Sequence, residues 1–289
     1  MRPHSLAVIG LGAIGGSLAW QARLAGIPSV IGYSPDRQDS IQALKSAAVH
    51  DIADSVARAV QGADLVVLAA PPGAILALLG QLKPHLGRGA IVTDVASIKL
   101  PIMLRAKEVG LADRFAGGHP FAGTHIAGWS GARPDRLTGA IVYVCSTGSE
   151  GDRAADEVMN FWETVIGAHP VRIEAAVHDA QLAWTSHLPQ AVASALAHTL
   201  ATEPSLRGVS LGTGARDTTR LAASPAQMWA EIFLLNQGPV CHALERAEGE
   251  LARLRELIRQ GDRTGLTGYL EEAGGYRRRL EGDAGASGK

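Results

Sequence analysis

Short β-branched runs alternate with longer helical stretches over the first half of the chain. The runs predict six strands, at residues 6–9, 30–33, 65–69, 91–95, 115–118 and 141–145. They are apolar at successive positions, which is typical of strands buried between two helical layers. The stretches between them predict helices at residues 17–25, 40–47, 52–60 and 74–82. This alternation predicts a parallel sheet wrapped by crossover helices, an α/β fold of the Rossmann type.

The strand pattern fades after about residue 150, where Ala- and Leu-rich helical stretches follow. One last strand is predicted at 171–174, and the strongest helical predictions are 178–202, 226–238 and 239–260. The tail after Tyr276 combines charge with Gly and Ser, so it is predicted to be frayed. We therefore expect a dinucleotide-binding domain at 1–175 and an all-helical domain at 176–289. Apolar positions such as Ile232, Phe233 and Leu235 suit a homodimer formed through the helical domain.

Composition limits the partners of the chain. Its 289 residues are 46% hydrophobic and 19% charged with a net charge of -1, and no run is apolar enough to span a bilayer. We expect no nucleic-acid or membrane partner, and any anionic ligand must meet local positive groups. Cys145 and Cys241 are the only cysteines. They indicate neither a disulfide framework nor a metal site, and a reducing cytoplasm fits best. Seven histidines show no metal-ligand spacing and are interpreted as surface or core residues: His4, His50, His85, His169, His178, His198 and His242.

A glycine-rich turn directly follows the first predicted strand. Gly10, Gly12 and Gly15 have the G-x-G-x-x-G spacing, and a helix comes next. The first glycine permits a tight turn, the second lets backbone approach a pyrophosphate, and the third lets helix and strand pack closely. An ordinary tight turn is the alternative, which the strand-turn-helix context makes the weaker interpretation. The predicted cofactor-binding set in this turn is Gly10, Leu11, Gly12, Ala13, Ile14 and Gly15.

The end of the second strand bears on which dinucleotide binds. An acidic residue there holds the ribose 2′-hydroxyl of NAD, whereas a basic neighbourhood accommodates the 2′-phosphate of NADP. Ser34 stands at this position and Arg37 follows, which gives a slight preference for NADP. Asp36 between them would repel a phosphate and could serve the NAD ribose, and Arg37 could equally be a solvated residue at a helix start.

Polar residues just past the later strands mark the edge where open parallel sheets bind ligands. Ala70 and Pro71 end one strand, where backbone would lie along the cofactor. Ser97 follows the next strand. His119 lies between glycines and a proline, in a loop and not on an apolar helix face, which favours a functional role over a core role.

At this point the chain resembles a known family. G-G-H-P-F-A-G-T around His119 looks like the H-P-x-A-G-T signature of prephenate, arogenate and cyclohexadienyl dehydrogenases. W-T-S-H-L-P-Q-A at 184–191 resembles the S-H-L-P-H segment of that family, and G-A-R-D-T-T-R-L-A-A-S-P-A-Q-M-W at 214–229 resembles a third segment. The three blocks occur in the family's order and cover nearly the whole chain.

The resemblance implies oxidative decarboxylation of prephenate to 4-hydroxyphenylpyruvate, a step of tyrosine biosynthesis, with hydride transfer to NAD(P). It implies that His119 contacts the ring hydroxyl of the substrate and accepts its proton, and that Ser97 shares the same hydroxyl. Imidazole suits this task because its ordinary pKa lies near working pH. His119 must then be neutral before turnover.

The resemblance also implies a set of substrate-binding residues: His187, Arg220, Arg216, Trp229, Thr124 and His125. His187 and Arg220 would bind carboxylates, Arg216 would add positive charge, and Trp229 would close the pocket of its own protomer or of the dimer mate. Guanidinium groups suit a dianionic substrate because each can bind a carboxylate through two hydrogen bonds. As alternatives, the two arginines could form an ion-pair cluster at a helix start, and His187 could be a core or capping histidine.

The chain departs from the family pattern at two positions. His125 stands where the family often has an acidic residue, and Gln190 replaces the second histidine of S-H-L-P-H. A carboxylate at the first position could pair with a substrate amino group, whereas a protonated histidine could not. This favours prephenate over arogenate and leaves an amino-substituted prephenate open.

Two rival functions stay open at this point. One is a different dehydrogenase on the same two-domain plan, acting on a 3-hydroxyacid or an imine with Lys or Asp moving the proton. The other is a regulator that senses a dinucleotide and catalyses nothing. The sequence pattern predicts no additional regulatory domain, so we expect any inhibition by tyrosine to act at the active site.

Overall fold

The structure, a computed structural model, describes residues 2–122 and 126–286, with side chains described as far as residue 280. The chain divides into two compact units, Met1–Gln237 and Gly238–Lys289. The first unit contains the sheet and the residues that surround His119. The family-like helical segments up to Gln237 therefore belong to the same compact unit as the sheet.

Eight strands form one sheet in the order β3-β2-β1-β4-β5-β6-β7-β8. Their bounds are β1 Ser5–Ile9, β2 Ser29–Tyr33, β3 Asp51–Ile52, β4 Leu65–Leu68, β5 Ile91–Asp94, β6 Phe115–Pro120, β7 Ile141–Ser146 and β8 His169–Arg172. The predicted α/β fold is confirmed, and each predicted strand is present within two residues of its predicted bounds, β8 being displaced by two. The order, with β1 central and crossovers on either side of it, is that of a doubly wound dinucleotide-binding sheet.

The sheet is not parallel throughout. Strands β1 to β6 pair in parallel, but β7 runs antiparallel to β6, and β8 is parallel to β7. A parallel return needs a crossover of a dozen or more residues, usually a helix. The described part of the connection between β6 and β7 contains only the short 3₁₀ turn Trp129–Gly131. The chain therefore turns back beside β6, and the prediction of a wholly parallel sheet is wrong at this edge.

Helices of the first half cover both faces of the sheet: α1 Ala13–Leu24, α2 Arg37–Lys45, α3 Val56–Val60, α4 Pro72–Leu82, α5 Leu100–Glu108 and α6 Asp152–Phe161. The predicted helix at 52–60 is wrong at its start. Ile52 pairs with Gly32 as part of β3, and the helix begins only after Ser55, whose hydroxyl accepts the Arg58 N–H at 3.4 Å as an N-cap. A serine cap thus decides the helix start.

Alternate side chains of β1 enter two separate hydrophobic cores. Leu6 and Val8 belong to the cluster on one face, whereas Ala7 and Ile9 belong to the cluster on the other. All four are buried, as expected of a strand covered on both faces. Burying one Val, Leu or Ile side chain contributes about 1.5–3 kcal/mol. This two-sided burial makes the carboxyl ends of the strands a rigid platform for a site.

The remainder of the first unit is helical. After α7 (Ala175–Leu182) a π-helical turn, Ala183–His187, continues into α8 (Leu188–Thr202), and α9 (Thr213–Thr219) and α10 (Ala226–Leu235) follow. π-helical turns are rare and frequently occur at functional sites. This turn interrupts the continuous helix predicted at 178–202. The interruption ends at His187.

Two long helices, α11 (Gln237–Gln260) and α12 (Arg263–Ala286), contain the rest of the described chain. Pro239 lies in the first turn of α11, where its missing N–H costs no helical hydrogen bond. The predicted fraying after Tyr276 is wrong, because α12 continues to Ala286. Arg, Leu, Glu and Ala are strong helix formers and outweigh the scattered glycines there. Among the described residues, no helix combines the length and hydropathy that crossing a membrane requires.

Candidate active site

The three glycines of the turn after β1 differ in how much room each leaves for a side chain. Gly10 has a φ of 102°, and a Cβ on it would lie 2.1 Å from the carbonyl oxygen of Ala69. A Cβ on Gly15 would lie 1.9 Å from the carbonyl oxygen of Gly10. A Cβ on Gly12 would meet only Gly128, at 3.8 Å, which is ordinary contact. Gly10 and Gly15 are therefore required by the fold, while a Cβ on Gly12 would fit at ordinary contact distance.

The N-terminus of α1 is suited to an anion. Gly12 is its N-cap residue and offers no side-chain cap. The first N–H groups of the helix have no intrahelical partner, and the helix dipole adds a partial positive charge there. The side chain of Leu11 is buried, and Ala13 and Ile14 are half-buried, so these residues present backbone at this point. These uncapped donors suit a pyrophosphate.

The loop after β2 uses its polar groups mostly for local structure. The Ser34 N–H donates to the Ser40 hydroxyl at 3.1 Å. Asp36 is the N-cap of α2, and its Oδ1 accepts the Gln38 N–H at 2.8 Å. Arg37 is the exposed first residue of α2. One carboxylate oxygen of Asp36 is thus engaged in capping, and the Arg37 guanidinium is solvent-facing.

A segment beyond β6 packs against the start of α1, which sequence reasoning did not predict. Asp39 Oδ1 accepts the Trp129 N–H at 2.8 Å, and the Trp129 ring stacks on Trp20 with 5.7 Å between centroids. A Cβ on Gly16 would lie 2.9 Å from the Trp129 ring. The segment therefore links α2, the start of α1 and the loop that follows His119.

His119 is the penultimate residue of β6, so the prediction that it lies in a loop is wrong: the strand pairs with β7 as far as Pro120. Its ring joins a chain of three side chains. His119 Nδ1 lies 2.9 Å from His178 Nε2, and His178 Nδ1 lies 2.7 Å from Asp179 Oδ1. Asp179 is fixed in turn, because Oδ1 accepts the Lys99 N–H and Oδ2 accepts the Leu100 N–H, each at 2.8 Å. The start of α5 thereby holds the carboxylate that ends this chain of hydrogen bonds.

The hydrogen bonds determine the tautomer of both rings. An ionised carboxylate can only accept hydrogen bonds, so His178 carries its proton on Nδ1 and donates it to Asp179. His178 Nε2 is therefore a hydrogen-bond acceptor. His119 Nδ1–H then donates to that acceptor. The lone pair of His119 consequently lies on Nε2, the ring nitrogen on the opposite side from His178. This is the arrangement of a neutral imidazole prepared to accept a proton.

Burial keeps these rings neutral. The pKa of His119 is well below its ordinary value of 6.5, first because burial penalises the charged ring and then because His178, Lys99 and His187 lie near it. Burial also lowers the pKa of His178, an effect that the Asp179 carboxylate opposes. A base with a lowered pKa is unprotonated at neutral pH, as the predicted role of His119 requires.

A buried ion pair lies directly behind His119. Lys99 Nζ contacts Asp94 Oδ2, and both side chains are wholly buried. The same Nζ donates to the carbonyl oxygen of Gly118 at 2.7 Å, and Asp94 Oδ1 accepts the Gly118 N–H at 3.2 Å. Asp94 Oδ2 also accepts the Ala96 N–H at 2.9 Å. The pair therefore holds both polar groups of the residue that precedes His119.

His187 lies beside this cluster at the end of the π-helical turn. Asn236 Nδ2 donates to His187 Nδ1 at 3.1 Å and to the Asp179 carbonyl at 2.8 Å. The ring must therefore carry its proton on Nε2, a buried atom without a hydrogen-bond partner among the described residues. Burial lowers the pKa of His187 to about 4. It can offer a substrate one neutral N–H but no positive charge. The Trp229 ring packs edge-on against it, 6.0 Å between centroids.

The structure brings only part of the predicted set together. Ser97 is half-buried in the loop between Asp94 and Lys99, on the same side of the sheet as His119. Arg216 and Arg220, on α9 and at its end, are exposed, and no contact in the described part of the chain joins them to the His119 cluster. Ala70 and Pro71 lie between β4 and α4. Thr124 and His125 lie outside the described residues.

Sequence reasoning missed several members of this cluster. It interpreted His178 as a surface or core histidine and gave no role to Asp179, Asp94 or Asn236. Gln190, which was noted without a role, is buried, and its Nε2 donates to the Leu221 carbonyl at 2.9 Å. The adjacent His-Asp pair at 178–179 was the available signal, because a carboxylate beside a histidine often orients it. Among the described residues, no group of side chains could hold a metal ion.

Two protein-family models match the chain, one after the other. Residues 19–171 match the prephenate dehydrogenase nucleotide-binding domain, and residues 174–272 match the prephenate dehydrogenase dimerization domain. The two matches cover most of the chain and meet between β8 and α7.

Individual proteins give the same result. Prephenate dehydrogenase of Bacillus subtilis (strain 168) is 32% identical over 283 residues, which are 94% of this chain and 75% of that protein. A crystal structure of prephenate dehydrogenase from A. aeolicus, in complex with hydroxyphenyl propionate and NAD+, has a TM-score of 0.88 at 30% identity, covering 96% of this chain and 98% of the other. Synechocystis arogenate dehydrogenase has a TM-score of 0.79 at 29% identity, covering 96% and 99%.

Proposed function

The chain belongs to the prephenate dehydrogenase family, and we propose that it decarboxylates prephenate oxidatively with His119 as the base. It is an NAD-dependent dehydrogenase, and the product of this reaction is 4-hydroxyphenylpyruvate. The observation that carries the proposal is the hydrogen-bond chain from Asp179 through His178 to His119, which leaves the His119 lone pair on Nε2. A regulator that only senses a dinucleotide would need no such base.

His119 acts at the ring hydroxyl of the substrate. Its Nε2 accepts the hydroxyl proton while carbon dioxide leaves and the ring becomes aromatic. His178 accepts the hydrogen bond from His119 Nδ1–H, and the Asp179 carboxylate stabilises the positive charge that then spreads over both rings. Ser97, in the loop after β5, shares the hydroxyl. The bound nicotinamide supplies the acceptor for the hydride that the ring carbon loses.

We propose that the turn after β1 holds the cofactor, with its pyrophosphate at the N-terminus of α1, which has no side-chain cap. We propose a slight preference for NADP over NAD. The support is that one oxygen of Asp36 is engaged in capping α2, while Ser34 and the exposed Arg37 flank the ribose position. Initial rates at equal NAD and NADP test it, and a clear preference for NAD would contradict it.

Substrate recognition divides into one neutral and two charged contributions. His187 offers the buried Nε2–H as a hydrogen-bond donor. The exposed guanidinium groups of Arg216 and Arg220 supply the positive charge that the two carboxylates of prephenate require, because the buried histidines are neutral. We propose that Trp229 covers the pocket, that Thr124 and His125 border it, and that two copies pair through the helical domain at 176–289.

A spectrophotometric assay with prephenate, following the reduced cofactor, tests the base. His119→Asn should lower turnover by roughly 100-fold or more while cofactor and substrate still bind, because only the proton acceptor is lost. The matched control is His198→Asn, an exposed histidine on α8, which should turn over normally. Normal turnover in His119→Asn would remove this residue from the chemistry and favour a dehydrogenase that uses another base.

The same assay tests the choice of substrate. Prephenate should have a higher specificity constant than arogenate, because His125 replaces the acidic residue that could pair with an amino group. A clear preference for arogenate, or for an amino-substituted prephenate, would contradict this part of the proposal and leave His119 as the base.

A further inference from the structure

Strand β6 loses its neighbour just before His119. Its parallel pairing with β5 ends at Thr93 and Ala116, whereas its antiparallel pairing with β7 continues to Pro120. Backbone groups of β6 that point toward β5 beyond Ala116 thus have no strand to bond with. Unpaired buried N–H and C=O groups are costly, so something must replace the missing strand.

The buried ion pair replaces it. Asp94 Oδ1 accepts the Gly118 N–H, and Lys99 Nζ donates to the Gly118 carbonyl oxygen at 2.7 Å. Together the two side chains supply the acceptor and the donor that a neighbouring strand would offer. Both ends of the Gly118 backbone are thereby fixed, and the next residue is His119.

Two glycines make room for this arrangement. A Cβ on Gly118 would lie 2.6 Å from the Asp94 carbonyl oxygen. A Cβ on Gly117 would lie 2.8 Å from Met103 Sδ and 3.1 Å from Lys99 Cδ. Larger residues would push β6 away from the ion pair. The two glycines before His119 lie within β6 and permit the close approach of Lys99 and Asp94.

Lys99 also touches the far end of the hydrogen-bond chain. Its backbone N–H donates to Asp179 Oδ1 while its side chain holds Gly118. One residue thus fixes the strand that carries His119 and the carboxylate that orients His178. Because both groups are attached to the same residue, the distance between the two rings depends on where Lys99 lies.

We propose that Lys99, held in an ion pair with Asp94, is a positioning residue that sets the place of the His119 ring against His178 for proton transfer. The inference rests on the proposed role of His119. Lys99 touches no reacting atom and acts through Gly118 and Asp179.

The positive charge of Lys99 has a second effect on the same ring. It lowers the pKa of His119, adding to burial and to the neighbouring histidines. Titratable and charged groups surround His119 on every neighbouring element: Asp94 on β5, Lys99 before α5, Tyr143 and Cys145 on β7, His178 and Asp179 on α7, and His187 on the π-helical turn. Removal of Lys99 should therefore shift the titration of His119 upward as well as loosen its position.

The test compares Lys99→Met with the double variant Asp94→Asn/Lys99→Met. The single variant leaves the Asp94 carboxylate buried without its partner and can fail to fold for that reason alone. The double variant removes both charges and keeps an amide oxygen for the Gly118 N–H, so it stays testable. The control is Lys107→Met, which removes an exposed lysine from the same helix.

Three quantities are measured on each folded variant: turnover with prephenate, cofactor affinity, and the NMR titration of the His119 ring in protein labelled at histidine. We expect the double variant to bind cofactor normally, to lose roughly 10- to 100-fold in turnover, as a displacement of about 1 Å can cause, and to titrate at a higher pH at His119. Lys107→Met should resemble the unaltered protein in all three.

Unchanged turnover in the double variant would overturn the proposal. So would a loss of turnover with unaltered titration of His119, because that pattern indicates a general packing defect. The His119→Asn assay is separate: if that variant turns over normally, the assignment of the base fails, while the ring titration still reports whether Lys99 acts on His119.

Discussion

Replacement of Asp179 by asparagine tests the hydrogen-bond chain at its buried end. The carboxylate accepts three hydrogen bonds, from His178 Nδ1 at 2.7 Å and from the Lys99 and Leu100 backbone N–H groups at 2.8 Å each. An amide has one accepting oxygen and one donating NH₂ group, so in Asp179→Asn at least one of these donors faces another donor. Leaving one buried donor unsatisfied should destabilise the fold by about 1–3 kcal/mol.

The effect on turnover should be larger than the effect on stability. If the amide NH₂ of the variant donates to His178 Nδ1, His178 must carry its proton on Nε2 and donate to His119. The His119 proton then moves to Nε2, where the lone pair is needed. Turnover should fall on the order of 10²- to 10⁴-fold, the range between a lost base and a base held in the wrong tautomer.

Steady-state kinetics with prephenate and a thermal unfolding curve measure both effects of Asp179→Asn. The cofactor should bind as before, because the hydrogen bonds of the Asp179 side chain go to Lys99, Leu100 and His178 and not to the turn after β1. Asp113→Asn, which alters an exposed carboxylate, serves as the control. A folded Asp179→Asn protein with normal turnover would refute the tautomer argument, and a protein that lost only stability would reduce Asp179 to a structural residue.

Two further predictions concern the cofactor turn and pH. Gly12→Ala should fold, because its Cβ meets only Gly128 at 3.8 Å, and should raise the KM of the cofactor. Gly15→Ala should lower the melting temperature, because its Cβ would lie 1.9 Å from the Gly10 carbonyl oxygen. Equal melting temperatures of the two variants would contradict this prediction. The acid limb of kcat/KM should lie below pH 6.5, since the His119 pKa is lowered and the base works only when neutral. The measurement is kcat/KM at a series of pH values on either side of neutrality. A loss of activity between pH 7.5 and 6.5 would contradict the prediction of a lowered His119 pKa.

The parts of the site that local chemistry defines could be predicted from the sequence. The strand, the glycine turn and the helix are adjacent in the chain, so their spacing predicts a dinucleotide-binding turn, and the α/β fold with it. His119 could be recognised because it lies near the carboxyl end of a strand and belongs to a motif, although it was predicted in a loop and lies in β6. The antiparallel direction of β7 could not be predicted, because the apolar pattern of a strand does not depend on the direction in which the strand runs in the sheet.

The partners of His119 were harder to predict because they come from distant parts of the chain. His178 is 59 residues from His119 and meets it only because α7 begins beyond the last strand of the sheet. Lys99 also follows the strand that ends near Asp94, but sequence reasoning gave it no role, because a lysine is almost never fully buried unless it is paired and its partner Asp94 was taken as part of a strand end. Pairings of this kind depend on tertiary packing, which periodicity does not report.

The proposed roles place proton transfer and charge recognition on different residues. The three histidines of the cluster have lowered pKa values because they are buried, so none offers a full positive charge to a dianionic substrate at neutral pH. Lys99 is wholly buried and already forms an ion pair with Asp94, so it is not free to bind a substrate carboxylate. Positive charge must therefore come from outside the cluster, where Arg216 and Arg220 are exposed on and beside α9. A base that must stay neutral and a pocket that must attract carboxylates are compatible only if the two functions are placed on different elements.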